Sequence, residues 1–268
     1  MTTDALSFLA DSRVRPRLLA ALREYEAARP SDLRDELGVS RATVHRNLSA
    51  LCERGWVHQG DDGYAVTTAG VLVHETFDAF RSGMQTVETF EGLLEAIPAD
   101  GVPPLPVLAT ADVVTATRDK PHAPVMRYVE ELTASDTTTV QGLTPVRSEM
   151  FDHGHEELLD AGVETELLLP VDVLERQRDE GGEELQTAIA RDGFSVYALE
   201  ADPGFGLTVT EDRAFVGGYG PDNQLVALAV STDDSFVSWA ADTFESLRSN
   251  ANRVSGRGAE VESSVRPD

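Results

Sequence analysis

The chain has 268 residues, with 22 basic side chains against 47 acidic ones, and a net charge of −25. That length suffices for two domains with separate cores, and no run of 18 apolar residues is present to span a membrane. Such acidity excludes a general attraction to nucleic acid or anionic lipid, so any contact of that kind needs a local cause.

Residue usage narrows the setting further. The first residues lack a basic-then-apolar segment, so no signal peptide is expected and the expected compartment is the cytoplasm. Cys52 is the single cysteine, which rules out an intrachain disulfide, and beside Leu51 it reads as a small packing residue. Lys120 is the single lysine, so arginine supplies the other 21 basic residues. Acidity with almost no lysine is the composition expected of a salt-loving organism. At molar salt the Debye length falls to about 3 Å, and an acidic body hardly repels a phosphate backbone from afar. The charge is also uneven. Residues 1–70 hold nine arginines against ten Asp plus Glu, a net of −1, which leaves −24 for residues 71–268.

In chain order, Val14, Leu18, Leu19 and Leu22 supply the apolar face of a first helix, with Pro16 tolerated in its opening turn. Ser31 is expected to cap a second helix, with Asp32 and Asp35 near its positive end. Leu33 and Leu37 share one face of it, and Gly38 sits where it must stop. Ser40 is expected to cap a third helix, in which Val44, Leu48 and Leu51 recur at i, i+4 and i+7. Arg41, Thr43, His45 and Arg46 fall off that stripe, toward its N-terminal half. Residues 54–67 then read as a helix stop, a strand, a tight turn at Asp62-Gly63 and a second strand. Two short helices around a tight turn, the second cationic on one face and apolar on the other, make a rod that fits the DNA major groove. The plain alternative is a helical hairpin with a solvated polar face.

Residues 68–71 open a long helix that the pattern extends to Ile97. Phe77, Phe80, Met84, Val87 and Leu94, spaced three, four, three and seven apart, form a coiled-coil-like stripe. A dimer helix and a strut packed on a second domain both fit, and a linker that also helps dimerise is favoured. Residues 98–104, rich in proline, end it. Beyond Leu105 strands are expected at 106–109, 113–116, 138–143, 163–169, 195–199, 206–209, 213–217 and 225–230. Helices are expected at 124–132, 149–161, 172–191 and 236–247. Alternation followed by a meander predicts an α/β sheet with helices on its faces, and the polar tail after it reads as frayed.

Sites for chemistry are few. A Gly-Lys-Ser/Thr phosphate loop and a Gly-x-Gly-x-x-Gly turn are both missing, and Gly204-Phe205-Gly206 continues as a strand. Asp152-His153-Gly154-His155-Glu156 is the one local cluster of metal-ligand types, but a solvated helix start explains it better, and no metal or cofactor is expected. Tyr128, Arg147, Arg213 and Tyr219 could line a pocket for an anionic metabolite, or could be buried support paired with carboxylates.

The run Gly38-Val39-Ser40-Arg41-Ala42-Thr43-Val44-His45-Arg46-Asn47-Leu48-Ser49-Ala50-Leu51, followed by Arg54-Gly55-Trp56-Val57, resembles the winged helix-turn-helix transcriptional regulators of archaea and bacteria. The resemblance implies a homodimer on double-stranded DNA, with Arg41, Thr43, His45 and Arg46 toward bases or phosphates and a wing with His58 and Gln59 toward the flanking backbone. Residues 105–248, most clearly Arg213-Ala214-Phe215-Val216-Gly217-Gly218-Tyr219, are similar in order and texture to the C-terminal domain of archaeal regulators related to the methanogenesis regulatory protein family. That implies a regulatory domain and a small-molecule effector. Some relatives of this architecture resemble half of a phospholipase-D-type fold, whose signature needs a His two residues before a Lys. Lys120 has Arg118 two before and His122 two after, so that chemistry is rejected. The expected fold is therefore multidomain, α+β with α/β. It comprises a winged helix-turn-helix (1–70), a linker and dimerisation helix (71–98), an α/β regulatory domain (102–250) and a polar tail (251–268). No catalysis is expected. The rival reading is a winged helix that binds another protein instead of DNA.

Overall fold

A computed structural model describes residues 2–134, 136–146, 158–179, 187 and 189–254. The chain divides into two compact units, Met1–Gln85 and Thr86–Asp268, so the segment 71–98 is shared between them.

The first unit opens with a helix that the sequence reading did not separate, α1 (Thr2–Ala10), followed by α2 (Arg15–Arg23), α3 (Pro30–Leu37) and α4 (Arg41–Glu53). A hairpin, β1 (Val57–Gly60) and β2 (Gly63–Val66), comes next, and then α5 (Thr68–Thr89). Leu18, Leu19 and Leu22 of α2, Leu33 of α3, and Val44, Leu48 and Leu51 of α4 are all fully buried in one core. Trp56, Val57 and Leu9 join it, with Val73 and Phe77 of α5 packed against it. Ser31 is not the cap of α3. Pro30 already occupies the first turn, so Arg29 takes the cap position and Asp32 accepts from the Arg29 amide at 3.3 Å. Gly38 ends α3 in the left-handed region (φ 66°), as expected. Ser40 caps α4 by accepting from the Thr43 amide at 3.2 Å. The hairpin turns on Asp61-Asp62, and its second strand is tied to Ala28 by two backbone bonds of 2.8 and 2.9 Å. There Gly63 has φ 140°, and a Cβ on it would lie 2.5 Å from the Ala28 carbonyl oxygen.

The second unit begins within the helical segment. The helix does not run to Ile97; α5 ends at Thr89, and a single turn α6 (Glu91–Leu94) follows. Phe90, Leu93 and Ile97 at this break are buried in the core of the second unit. Residues 106–109, expected as a strand, instead belong to a helical turn α7 (Leu105–Leu108), because Pro104 and Pro106 suit a helix opening better than a ladder. The remaining elements are β3 (Asp112–Thr115), α8 (Ala123–Thr133), β4 (Thr139–Leu143), β5 (Glu164–Pro170), α9 (Val171–Asp179), β6 (Phe194–Leu199), β7 (Gly206–Val209), β8 (Ala214–Tyr219), β9 (Leu225–Ser231), α10 (Asp234–Arg248) and β10 (Asn252–Arg253). Of the helix expected at 149–161, residues 158–160 are described and are helical.

The strands form one mixed sheet in the order β10-β6-β5-β4-β7-β8-β9-β3. Strands β4, β5 and β6 run parallel, and β7, β8 and β9 form the antiparallel meander. Period-two alternation separates two dry faces. Val216, Leu168, Tyr197 and Ala229 pack with Phe236, Ala240 and Phe244 of α10 on one face. On the other, Phe215, Leu228 and Val230 meet α8, while Val196, Ala198 and Leu169 meet Val173 of α9. Asn252 and Arg253, assigned by the sequence reading to the polar tail, pair with Ala198 and Tyr197, and Val254 is buried behind them. The unpaired edge of β6 offers backbone partners that the polarity of the segment conceals.

Glu211, in the turn between β7 and β8, clasps the residues that lead into β4. Its carboxylate accepts from the Thr137 hydroxyl, the Thr138 amide (3.0 Å) and the Thr138 hydroxyl (2.5 Å). Burial pushes this carboxyl up, but the hydroxyl and amide donors outweigh it and hold it down at about 2, against an ordinary 4.5.

Two outcomes follow from these contacts. Gly63→Ala forces a side chain into the Ala28 carbonyl at a left-handed position, and thermal unfolding of the first unit should register a loss on the order of 1–3 kcal/mol. Because the Glu211 carboxyl is depressed in the folded state, its stabilisation is full above 4.5 and fades as pH falls toward 2. Urea unfolding should therefore show wild type more stable than Glu211→Gln at neutral pH, with the difference vanishing across that window.

Candidate nucleic-acid interface

Burial of Val44, Leu48 and Leu51 fixes which way α4 faces. Its other side exposes Arg41, His45 and Arg46, as their spacing predicts. Arg41 donates to His45 across one turn at 3.4 Å. Thr43 is half-buried, and its hydroxyl shares a 2.9 Å bond with the capping Ser40, so it is partly committed to the cap. His58 and Gln59 lie exposed on β1. Cys52 is half-buried beside the core, and burial raises its thiol above the ordinary range.

Several arginines elsewhere in the unit are tied to carboxylates: Arg23 to Glu75 at 2.8 Å, Arg34 to Asp35 at 2.6 Å and Arg54 to Asp4 at 3.0 Å. Arg15 and Arg17 donate to uncharged oxygens instead. Among the described residues, Arg41 and Arg46 have no carboxylate partner. Glu53 is the sole acidic residue of α4, and it lies at the far end. Arg41 occupies the first position of the helix, where the macrodipole already leaves positive charge. A cation there works against its own helix, and an anion placed before it relieves both.

Two residues that the sequence reading passed over support this face from behind. Asn47 is 4% exposed. Its amide donates to the Thr43 carbonyl at 2.8 Å and its oxygen accepts from Arg15 Nε at 3.2 Å. An asparagine in mid-helix, off the polar face, is the signal that could have revealed it.

The candidate effector residues are arranged otherwise. Arg213 bonds Asp212 at 3.0 Å and, on α8, the Glu131 carboxylate at 2.5 Å and carbonyl at 3.0 Å. Tyr128 lies edge-on to Phe215 at 5.1 Å, and its hydroxyl meets Thr208 at 3.1 Å. Burial raises its phenol, and burial pushes Tyr219 up to about 12. Arg147 lies outside the described residues, as does the cluster at 152–156. These contacts join α8 to the sheet through Arg213 and Tyr128. Among the described residues no group of three or more His, Cys, Asp or Glu is placed to hold a metal, and no helix is long and apolar enough to cross a membrane.

Two family models match the chain. Residues 121–250 match the middle domain of the methanogenesis regulatory protein FilR1, and residues 3–89 match the HVO_A0261 N-terminal domain. These matches describe a transcription-regulator-like protein in two parts. No curated protein matches the chain. Among solved structures, TrmBL2, an archaeal chromatin protein, is 14% identical over 94% of this chain and 100% of that one, with a TM-score of 0.40. MarR from E. coli is 23% identical over 36% of this chain and 70% of its own, at 0.30. NucT from Helicobacter pylori is 9% identical over 53% and 96%, at 0.41.

Proposed function

We propose that this protein is a DNA-binding transcriptional regulator. In this reading residues 1–70 act as a winged helix-turn-helix, α4 enters the major groove, and the β1–β2 hairpin is the wing. The observation that carries it is the pair of exposed arginines on α4 that have no carboxylate partner among the described residues, one of them at the helix position where its own dipole disfavours a cation. Arg41 and Arg46 are assigned to bases or phosphates, His45 to bases, and His58 and Gln59 to the flanking backbone. Thr43 contributes through the cap as much as through any base.

The regulator works as a homodimer on α5. Leu72, Phe80 and Met84 are 58, 50 and 47% exposed, and at 100° per residue they fall within a third of the helix circumference. Two copies joined there can present recognition helices to half-sites about 34–36 Å apart. Control by a small-molecule effector belongs to the proposal through the match of residues 121–250 to a regulatory protein's middle domain. Tyr128 and Arg213 are assigned to the scaffold and not to that effector. The composition places this binding at high salt, where counterion release contributes less and base contacts and shape contribute more.

Fluorescence anisotropy at molar salt tests the DNA face. Arg41→Ala and Arg46→Ala should each weaken specific binding by about 1–3 kcal/mol while leaving thermal unfolding near wild type. Unchanged affinity in both would contradict the assignment, and a wild type that binds no duplex would turn the module toward a protein partner. Sedimentation should show wild type as a dimer and Phe80→Asp as a monomer; a dimer that survives the change places the interface elsewhere.

A further inference from the structure

Arg15 is the arginine of the first unit whose guanidinium is turned inward. It stands at the first position of α2. Its Nε donates to the buried Asn47 oxygen at 3.2 Å, its Nη1 donates to the Phe8 carbonyl at 2.5 Å, and its plane lies 4.0 Å from the Phe8 ring centre. Phe8 belongs to α1, and Asn47 belongs to α4. Asn47 in turn donates to the Thr43 carbonyl, in the turn of α4 that carries Arg41, His45 and Arg46. One guanidinium therefore connects the N-terminal helix to the exposed cationic end of α4.

Chemistry explains why arginine stands here. The planar fork donates along two edges while its face stacks on a ring, and a lysine ammonium cannot do all three. The apolar packing of Val44, Leu48 and Leu51 sets which side of α4 is buried, but being non-directional it resists small rotations of the helix about its axis only weakly. A hydrogen bond to a buried amide is directional, and breaking it leaves the Asn47 oxygen unpaired away from water. Arg54 secures the other end of α1, lying 4.0 Å from the Phe8 ring centre and pairing with Asp4 at 3.0 Å.

We infer that Arg15 is a positioning residue for the DNA-reading helix: through Asn47 it fixes the roll of α4 and makes α1 part of the recognition device. The inference rests on the reading that α4 contacts DNA, and it adds that an arginine which never reaches DNA sets how well α4 does so. Displacing α1 removes the Phe8 carbonyl and ring that hold the Arg15 guanidinium in place, and so loosens its bond to Asn47 and weakens recognition.

The full chain tests this with Arg15→Lys, Asn47→Ala and the double variant, by duplex binding across a salt series and by amide exchange without DNA. Arg15→Lys should bind about tenfold more weakly with the salt slope of wild type, and the double variant should be no weaker than the weaker single one. Exchange should rise in both Thr2–Ala10 and Arg41–Glu53 and stay as in wild type in Pro30–Leu37. Wild-type affinity in Arg15→Lys overturns the inference, as does a slope shallower by about one charge, which marks a direct phosphate contact. Single losses that multiply in the double variant also overturn it. Exchange that rises in α1 alone, or throughout the unit, does so as well. If wild type binds no duplex, the DNA reading fails, and the exchange pattern alone then decides the link between α1 and α4.

Discussion

The first unit depends on one seam staying dry, the line of Val44, Leu48 and Leu51 on α4 against Leu18, Leu19 and Leu22 on α2 and Leu33 on α3. Each of these side chains is fully buried, and each contributes roughly 1.5–3 kcal/mol relative to exposure. Because the helical period is fixed, burying one side of α4 dictates which residues meet solvent on the other. The cationic face is thus a consequence of the core, and a change in the core is a change in the interface. The hydrogen bond from Arg15 to Asn47 adds direction to a contact whose packing sets the buried side but resists small rotations only weakly.

Charge acts on a second level. The chain carries −25 overall, yet the described residues give Arg41 and Arg46 of α4 no carboxylate partner, and α4 has no acid until Glu53. Three arginines elsewhere in the unit, Arg23, Arg34 and Arg54, are paired locally with Glu75, Asp35 and Asp4. At low salt the acidic body would oppose approach to DNA; at molar salt screening reduces that opposition within a few ångströms. In the proposed function, recognition by α4 then rests on short-range complementarity, and the orientation of the helix matters more than total charge.

Much of the first unit could be read from the chain because its signals are local. Gly38, Ser40 and the i, i+4, i+7 stripe each act within a few residues, and the structure places each as read. What escaped was non-local or competitive. Ser31 lost the cap of α3 because Pro30 had already set the opening turn. Residues 106–109 look like a strand by apolarity but carry prolines that suit a helix start. The long apolar stripe continued past Thr89 in pattern while Phe90 turned into the core of the second unit. Asn252 and Arg253 are polar and were read as tail, yet an open edge of β6 recruits them by backbone alone. Arg15 and Asn47 are 32 residues apart, and nothing in either neighbourhood announces the other. The same holds for Arg213, whose partner Glu131 on α8 is 82 positions away.

The central claim is that α4 reads DNA with its N-terminal cationic half. Selection of duplexes from a random pool by the full chain at molar salt tests it most directly, run in parallel with an Arg41→Ala, Arg46→Ala double variant. The account predicts that wild type converges on a short motif with paired half-sites, and that the double variant loses the enriched positions while remaining folded. A wild-type pool that stays unenriched, or the same motif emerging from the double variant, would contradict it.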